Sequence, residues 1–214
     1  MIQNIWSRSV WLIVLGVCFL VTEEGTAQMQ KVYYSNDQLK SQGDWNDQKK
    51  QGEWRFYYPD GQLNAVENYK DGMLDGEVIL YYPSGEMLSQ ERYELDVPVD
   101  SGYYYYDNGQ LRRKGRFESG LYEGEWLTYH ENATLKSSGM YHLGLPHGYW
   151  EVYEDDGSLL QTGYYSQGKE DGFWQFYDGE GNLSFEGNYQ SGKETGLWYQ
   201  YNWRGKKKLY KDYQ

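Results

Sequence analysis

The sequence predicts an all-β chain, an elongated single-layer antiparallel meander of 24-residue β-hairpin repeats. Three observations predict it. A Gly-x-Trp motif returns in steps of 24 residues, at Gly52-Glu53-Trp54, Gly124-Glu125-Trp126, Gly148-Tyr149-Trp150, Gly172-Phe173-Trp174 and Gly196-Leu197-Trp198. Aromatic side chains make up 19% of the 214 residues, a content that disordered chains do not have. Of the 24 glycines after residue 27, 22 fall in four positions of the repeat, so glycine here marks backbone geometry and is not filler.

Residues 1–27 stand apart. Arg8 and the amino group are positive, Val10 to Val21 is a twelve-residue apolar run, and Gly25-Thr26-Ala27 is small at the positions that precede a cut. The run is shorter than the roughly 20 residues of a spanning helix. The three parts together predict a secretory signal peptide cleaved after Ala27 and an exported chain. Cys18 lies inside this segment, so the exported chain has no cysteine. A disulfide framework and a Cys-based zinc site are excluded.

From Gln28 to Gln214 the register predicts eight units, the first and last of them caps. With Gly52 as position one, position six is tyrosine throughout: Tyr33, Tyr57, Tyr81, Tyr105, Tyr129, Tyr153, Tyr177 and Tyr201. Position ten is glycine in six units, with Asp37 and Ala133 as exceptions. Pro59-Asp60-Gly61 and Pro83-Ser84-Gly85 carry the chemistry of a type I turn closed by a left-handed glycine. At Ala133 the neighbouring Asn132 is expected to take the left-handed conformation. A second Gly-centred turn, at Asp71-Gly72, leads into the next unit. Each unit is thus a hairpin, two strands at a time, adding roughly 9–10 Å to the stack.

Leu, Gly and an aromatic at positions twelve, sixteen and eighteen share parity and are expected on one face. A Trp ring can then lie flat over the glycine. Trp at position three and Tyr at position six differ in parity, which predicts either opposite faces or a bulge. In the last unit Lys207 replaces Leu and Lys211 replaces Gly. Together with Arg204, Lys206 and Lys208 they are expected to keep the edge strand soluble.

The pattern G-x-W-x-x-Y-x-x-x-G-x-L-x-x-x-G-x-Y-x-x-G resembles the bacterial MORN-repeat variant over residues 28–214, and in particular the MORN-repeat antitoxin component of toxin–antitoxin modules. That resemblance implies a β-hairpin solenoid without enzymatic activity that contacts another protein, a cognate toxin among the options, or a lipid headgroup.

The residues point to binding rather than catalysis. A net charge of −12 disfavours nucleic acid. Phosphate loop, nucleophile elbow and dinucleotide fingerprint are missing, and His142 and His147 lack a third ligand at metal spacing, so neither enzyme, cofactor nor metal is expected. Trp54, Trp126, Trp150, Trp174 and Trp198, with Tyr57, Tyr81, Tyr105, Tyr129, Tyr153, Tyr177 and Tyr201, are expected to be the repeat core and, where exposed, a binding platform. In the third hairpin with an irregular connection, Leu95-Asp96 replaces the Gly turn, Gly102 replaces Trp, and Tyr103 to Tyr106 run consecutively. Tyr103, Tyr104 and Tyr106 are expected to form an aromatic patch there. The leading function is a protein-interaction scaffold. The alternative is a module for envelope glycans or lipid headgroups.

Overall fold

The computed structural model describes residues 28–214 and shows one open sheet of successive antiparallel hairpins. The predicted signal segment lies outside the described residues. The strands are β1 Gln28–Tyr33, β2 Leu39–Asn46, β3 Lys49–Tyr57, β4 Leu63–Lys70, β5 Met73–Tyr81, β6 Met87–Glu94, β7 Val97–Tyr105, β8 Leu111–Glu118 and β9 Leu121–Tyr129. They continue as β10 Leu135–His142, β11 Leu145–Tyr153, β12 Leu159–Ser166, β13 Lys169–Glu170, β14 Gly172–Tyr177, β15 Leu183–Gln190, β16 Lys193–Tyr201 and β17 Lys207–Tyr213. Every strand pairs with the one before it, apart from β14, which with β13 forms a single path along β12 interrupted at Asp171. Counted as paths, the strands are the two per unit that the repeat predicts.

The first turn has the predicted geometry. Gly61 N–H donates to the Tyr58 carbonyl at 2.9 Å, Tyr58 N–H donates to the Gln62 carbonyl at 2.8 Å, and Gly61 has φ +91°. The side chain one residue earlier closes a small ring: Asp60 Oδ1 accepts from Gln62 N–H at 3.0 Å. At the Ala133 turn the expectation for Asn132 is corrected. Ala133 itself takes φ +67°, while Asn132 Oδ1 accepts from Thr134 N–H at 3.0 Å and its amide donates to the Asp155 carbonyl at 2.7 Å. Those two bonds tie down the neighbouring residue and leave Ala133 to bear the strain.

The second turn is a two-residue loop with both residues at positive φ, as at Asp71 (+53°) and Gly72 (+86°), the signature of type I′. Leu95 (+48°) and Asp96 (+67°) hold the same conformation without glycine. This segment is therefore a regular turn with an unfavourable residue, not a remodelled loop. These turns also stack. The N–H of Gly72, Asp96, Gly120, Gly144, Gly168 and Gly192 each donates to a carbonyl one repeat earlier, at 2.8–3.1 Å.

Two bulges per repeat decide which side chains share a face. Gly43 pairs with Trp54 but Asp44 pairs with Gln51, so Gly52 and Glu53 are extra residues on β3, and Gly52 carries the positive φ this needs (+62°). The second bulge, at Asn64, pairs Leu63 with Tyr57, whereas Ala65 pairs with Phe56. This corrects the parity expectation: Leu63 joins the tyrosine face, and only the glycine and the aromatic stay with tryptophan. Position three and position six do lie on opposite faces, since Tyr57 accepts from Gln42 on the side away from Trp54. The buried apolar side chains, Trp54, Ala65, Val78, Phe117, Trp126, Trp174 and Trp198, all lie on the tryptophan face. The core of this single layer is therefore a strip along one side of it.

Candidate functional site

Each Trp ring lies on the glycine of the preceding strand. A Cβ on Gly43, Gly115, Gly139, Gly163 or Gly187 would overlap the ring of Trp54, Trp126, Trp150, Trp174 or Trp198 respectively. The indole N–H of each of these five donates to a carbonyl ten residues earlier, for example Trp54 to Asp44 at 2.9 Å. From Phe117 onwards the position-eighteen rings stand edge-on between the indoles: Tyr141–Trp150 at 5.3 Å, Tyr165–Trp174 at 5.1 Å, Tyr189–Trp198 at 5.2 Å. Four of these five position-three tryptophans are buried and Trp150 is half-buried. Little of the four buried indoles is left to touch a ligand.

Between Trp54 and Trp126 the ladder is broken. Val78 and Gly102 stand where Trp is expected, and Glu67 and Glu91 stand where Gly is expected on the strands just before. The two changes belong together: with no indole to cover, the strand has room for a side chain. Tyr69 donates to Glu67, and Tyr93 (2.6 Å) and Tyr104 both donate to Glu91. Burial, then the adjacent carboxylate, push all three phenols well above the usual tyrosine range. Lys50 donates to the Tyr69 hydroxyl at 2.9 Å and lies over the Phe56 and Tyr69 rings, and its burial pulls its pKa down.

The predicted patch of consecutive tyrosines is divided by the pleat. Tyr104 and Tyr106 line a hollow of about 330 Å³ on the tryptophan face with Arg112, Arg113, Tyr122, Thr128 and Lys136. Tyr103 faces the other way, opposite Lys114. Tyr106 is further held by donating to the Tyr129 carbonyl at 2.8 Å. It belongs to a position the sequence reading passed over: Tyr34, Tyr58, Tyr82 and Tyr106, at position seven, each donate to the position-six carbonyl of the next repeat at 2.7–2.9 Å. His130 Nε2 does the same to Tyr153 at 3.0 Å. Their 24-residue spacing was the available signal.

The opposite face carries the position-six tyrosines. Tyr177 donates to Gln175 at 3.2 Å and Tyr201 to Glu186 at 2.6 Å. Tyr81, Tyr105 and Tyr129 offer their carbonyls to the position-seven hydroxyls. Tyr153 is pushed up to about 12 by burial and by Glu151. Lys207 on β17 pairs with Glu186 at 2.6 Å, a contact within the sheet. One row on this face changes character along the molecule. It reads Glu53, Asn68, Glu77, Arg92, Ser101, Arg116 and Glu125 across β3 to β9, then Met140, Tyr149, Tyr164, Phe173, Asn188 and Leu197 across β10 to β16. The five apolar members, Met140, Tyr149, Tyr164, Phe173 and Leu197, are 43–50% exposed. Tyr149 and Tyr164 are ring neighbours at 5.2 Å. His142 pairs with Glu123 at 3.1 Å, and no group of three metal-ligating side chains occurs among the described residues.

Four segments, residues 50–71, 74–94, 102–119 and 146–167, match the family model of the MORN repeat variant. No curated protein matches the chain. Among solved structures, a crystal structure of TcdB2-TccC3-Cdc42 matches over 81% of this chain and 13% of its own, at 14% identity and a TM-score of 0.20. A Bacteroides fragilis NCTC 9343 protein of unknown function matches over 87% of this chain and 91% of its own, at 11% identity and a TM-score of 0.13.

Proposed function

We propose that this chain of MORN-type repeats is an exported, non-enzymatic interaction scaffold that binds another protein through the open face across β10 to β16. One observation carries the reading. A sheet face whose neighbouring half is mostly charged exposes Met140, Tyr149, Tyr164, Phe173 and Leu197 along one row, with Asn188 between the last two. Large apolar side chains clustered on a surface mark contact sites, and aromatics and Met are the residues interfaces favour. On the antitoxin reading the partner is an envelope-acting toxin.

The test compares tagged residues 28–214 with a Tyr149→Glu, Phe173→Glu double variant in pull-downs from native envelope extract. Both side chains are exposed, so the variant keeps its fold, checked by circular dichroism. The reading expects a stoichiometric protein partner that the variant loses. A second reading rests on the adjacent Tyr149 and Tyr164 rings, which offer a stacking surface for a sugar. Retention on the wall fraction, competed by free glycan and with no protein enriched, supports that glycan reading. A lipid-headgroup site would instead pull the chain down with vesicles.

A further inference from the structure

The hollow at the end of the broken ladder is cationic in a strongly acidic protein. Arg112, Arg113 and Lys136 converge on it. Arg55, Arg92, Arg116 and Lys207 each have a carboxylate partner, whereas none of these three takes part in an ion pair among the described residues. The nearby carboxylate, Glu91, is engaged by the Tyr93 and Tyr104 hydroxyls. Arg113 is held in place from one side. Its Cζ lies 4.2 Å from the Trp126 ring centroid and 4.5 Å from that of Tyr122, and it sits between Tyr104 and Thr128 in the sheet. A guanidinium stacked by its face keeps its N–H edge free, and that edge matches a planar carboxylate.

We propose that this hollow recognises a carboxylate presented by an acidic side chain of a peptide segment. The site lies on the face opposite the apolar row and stands or falls independently of it. Two features select this ligand class. The rings of Tyr104, Tyr106 and Tyr122 give the hollow an apolar wall for the stem of a side chain. The net charge of −12 repels polyanions, which feel the whole molecule. One or two carboxylates respond mainly to charges within a screening length of about 8 Å.

The test titrates residues 28–214 with a capped tetrapeptide of alternating glutamate and glycine, its glutamine counterpart, and inorganic phosphate, followed by calorimetry and by Trp fluorescence. The proposal expects the glutamate peptide to bind and perturb the emission through the Trp126 stack, the glutamine peptide to bind at least tenfold more weakly, and rising salt to weaken binding. Arg113→Gln and Lys136→Gln should each reduce affinity several-fold. Lys136→Gln leaves the Arg113–Trp126 stack in place, so it reports on the site even if Arg113→Gln perturbs the fold. Lys169→Gln, on another part of the sheet, should change nothing. Equal binding of both peptides, indifference to the Arg113 and Lys136 changes, or binding of phosphate in preference to the glutamate peptide would overturn it.

Discussion

One methyl group is enough to test how the tryptophans pack. Gly139→Ala places a Cβ inside the Trp150 ring, which has to move off the strand, and overpacking of this kind costs about 1–3 kcal/mol. Gly179→Ala meets nothing within 4 Å and should stay within about 0.5 kcal/mol of the parent in urea unfolding. The tyrosines add a pH dependence. Tyr153 titrates near 12 in the fold, raised by burial and then by the Glu151 hydrogen bond, against an ordinary value of 10.0. A raised acid pKa means that the fold favours the neutral phenol. Its contribution is complete below the unfolded pKa and is lost as pH rises through the folded one. Tyr69, Tyr93 and Tyr104 shift the same way. Melting temperature should therefore fall as pH climbs from 10 towards 12, and Glu151→Gln should bring one phenol back towards its ordinary titration.

The strands and turns were largely legible in the chain compared with itself, because each turn type demands a residue that tolerates positive φ at a fixed place. The exceptions have physical reasons. Leu95-Asp96 looked like a different connection because it lacks glycine, yet stacking on the preceding turn holds it in the standard one: Asp96 N–H donates to the Leu74 carbonyl at 2.9 Å and its carboxylate accepts from Leu74 N–H at 2.7 Å. Leu95 bears a left-handed conformation that costs an ordinary side chain about 1–2 kcal/mol. Leu95→Asn should therefore stabilise the protein by about 0.5–1 kcal/mol, read as a shift in urea midpoint at constant slope. The face of Leu63 was misjudged because alternation holds only within unbroken pairing, and Asn64 breaks it. The paired change, Val78 and Gly102 for Trp at position three and Glu67 and Glu91 for Gly at position sixteen, was written in the sequence, but its logic needs the ring to be seen lying on the glycine.

At the scale of the molecule, each repeat contacts its neighbours and little else, so the chain behaves as a one-dimensional stack. Removing residues 148–171 joins His147 to Gly172 in register and should leave a shorter folded protein with the same circular dichroism shape. A collapse to an unfolded chain would contradict the stack. The same regularity explains what the sequence left hidden about function. Repetition reveals what every unit needs, and the two surfaces proposed for binding are where units differ: the change to apolar residues along one row from Met140, and the cations at Arg112, Arg113 and Lys136 beside a missing Trp.

The hydrogen bonds that tie each turn to the one before it set a clock for proton exchange. Amides at the tip of an exposed hairpin usually trade with water quickly. Here Gly72, Gly120, Gly144, Gly168 and Gly192 should trade as slowly as strand interiors, recurring as protected points along solvent-facing loops. The opposite rim carries its side-chain clasps, four tyrosine hydroxyls and the His130 imidazole, from Tyr34 to His130. Glu154, Asp178 and Asn202 follow at the same position, where no bond of this kind is made among the described residues. Deuterium should accordingly enter the far rim of the last repeats first, and the molecule should open from its carboxyl-terminal end towards its middle.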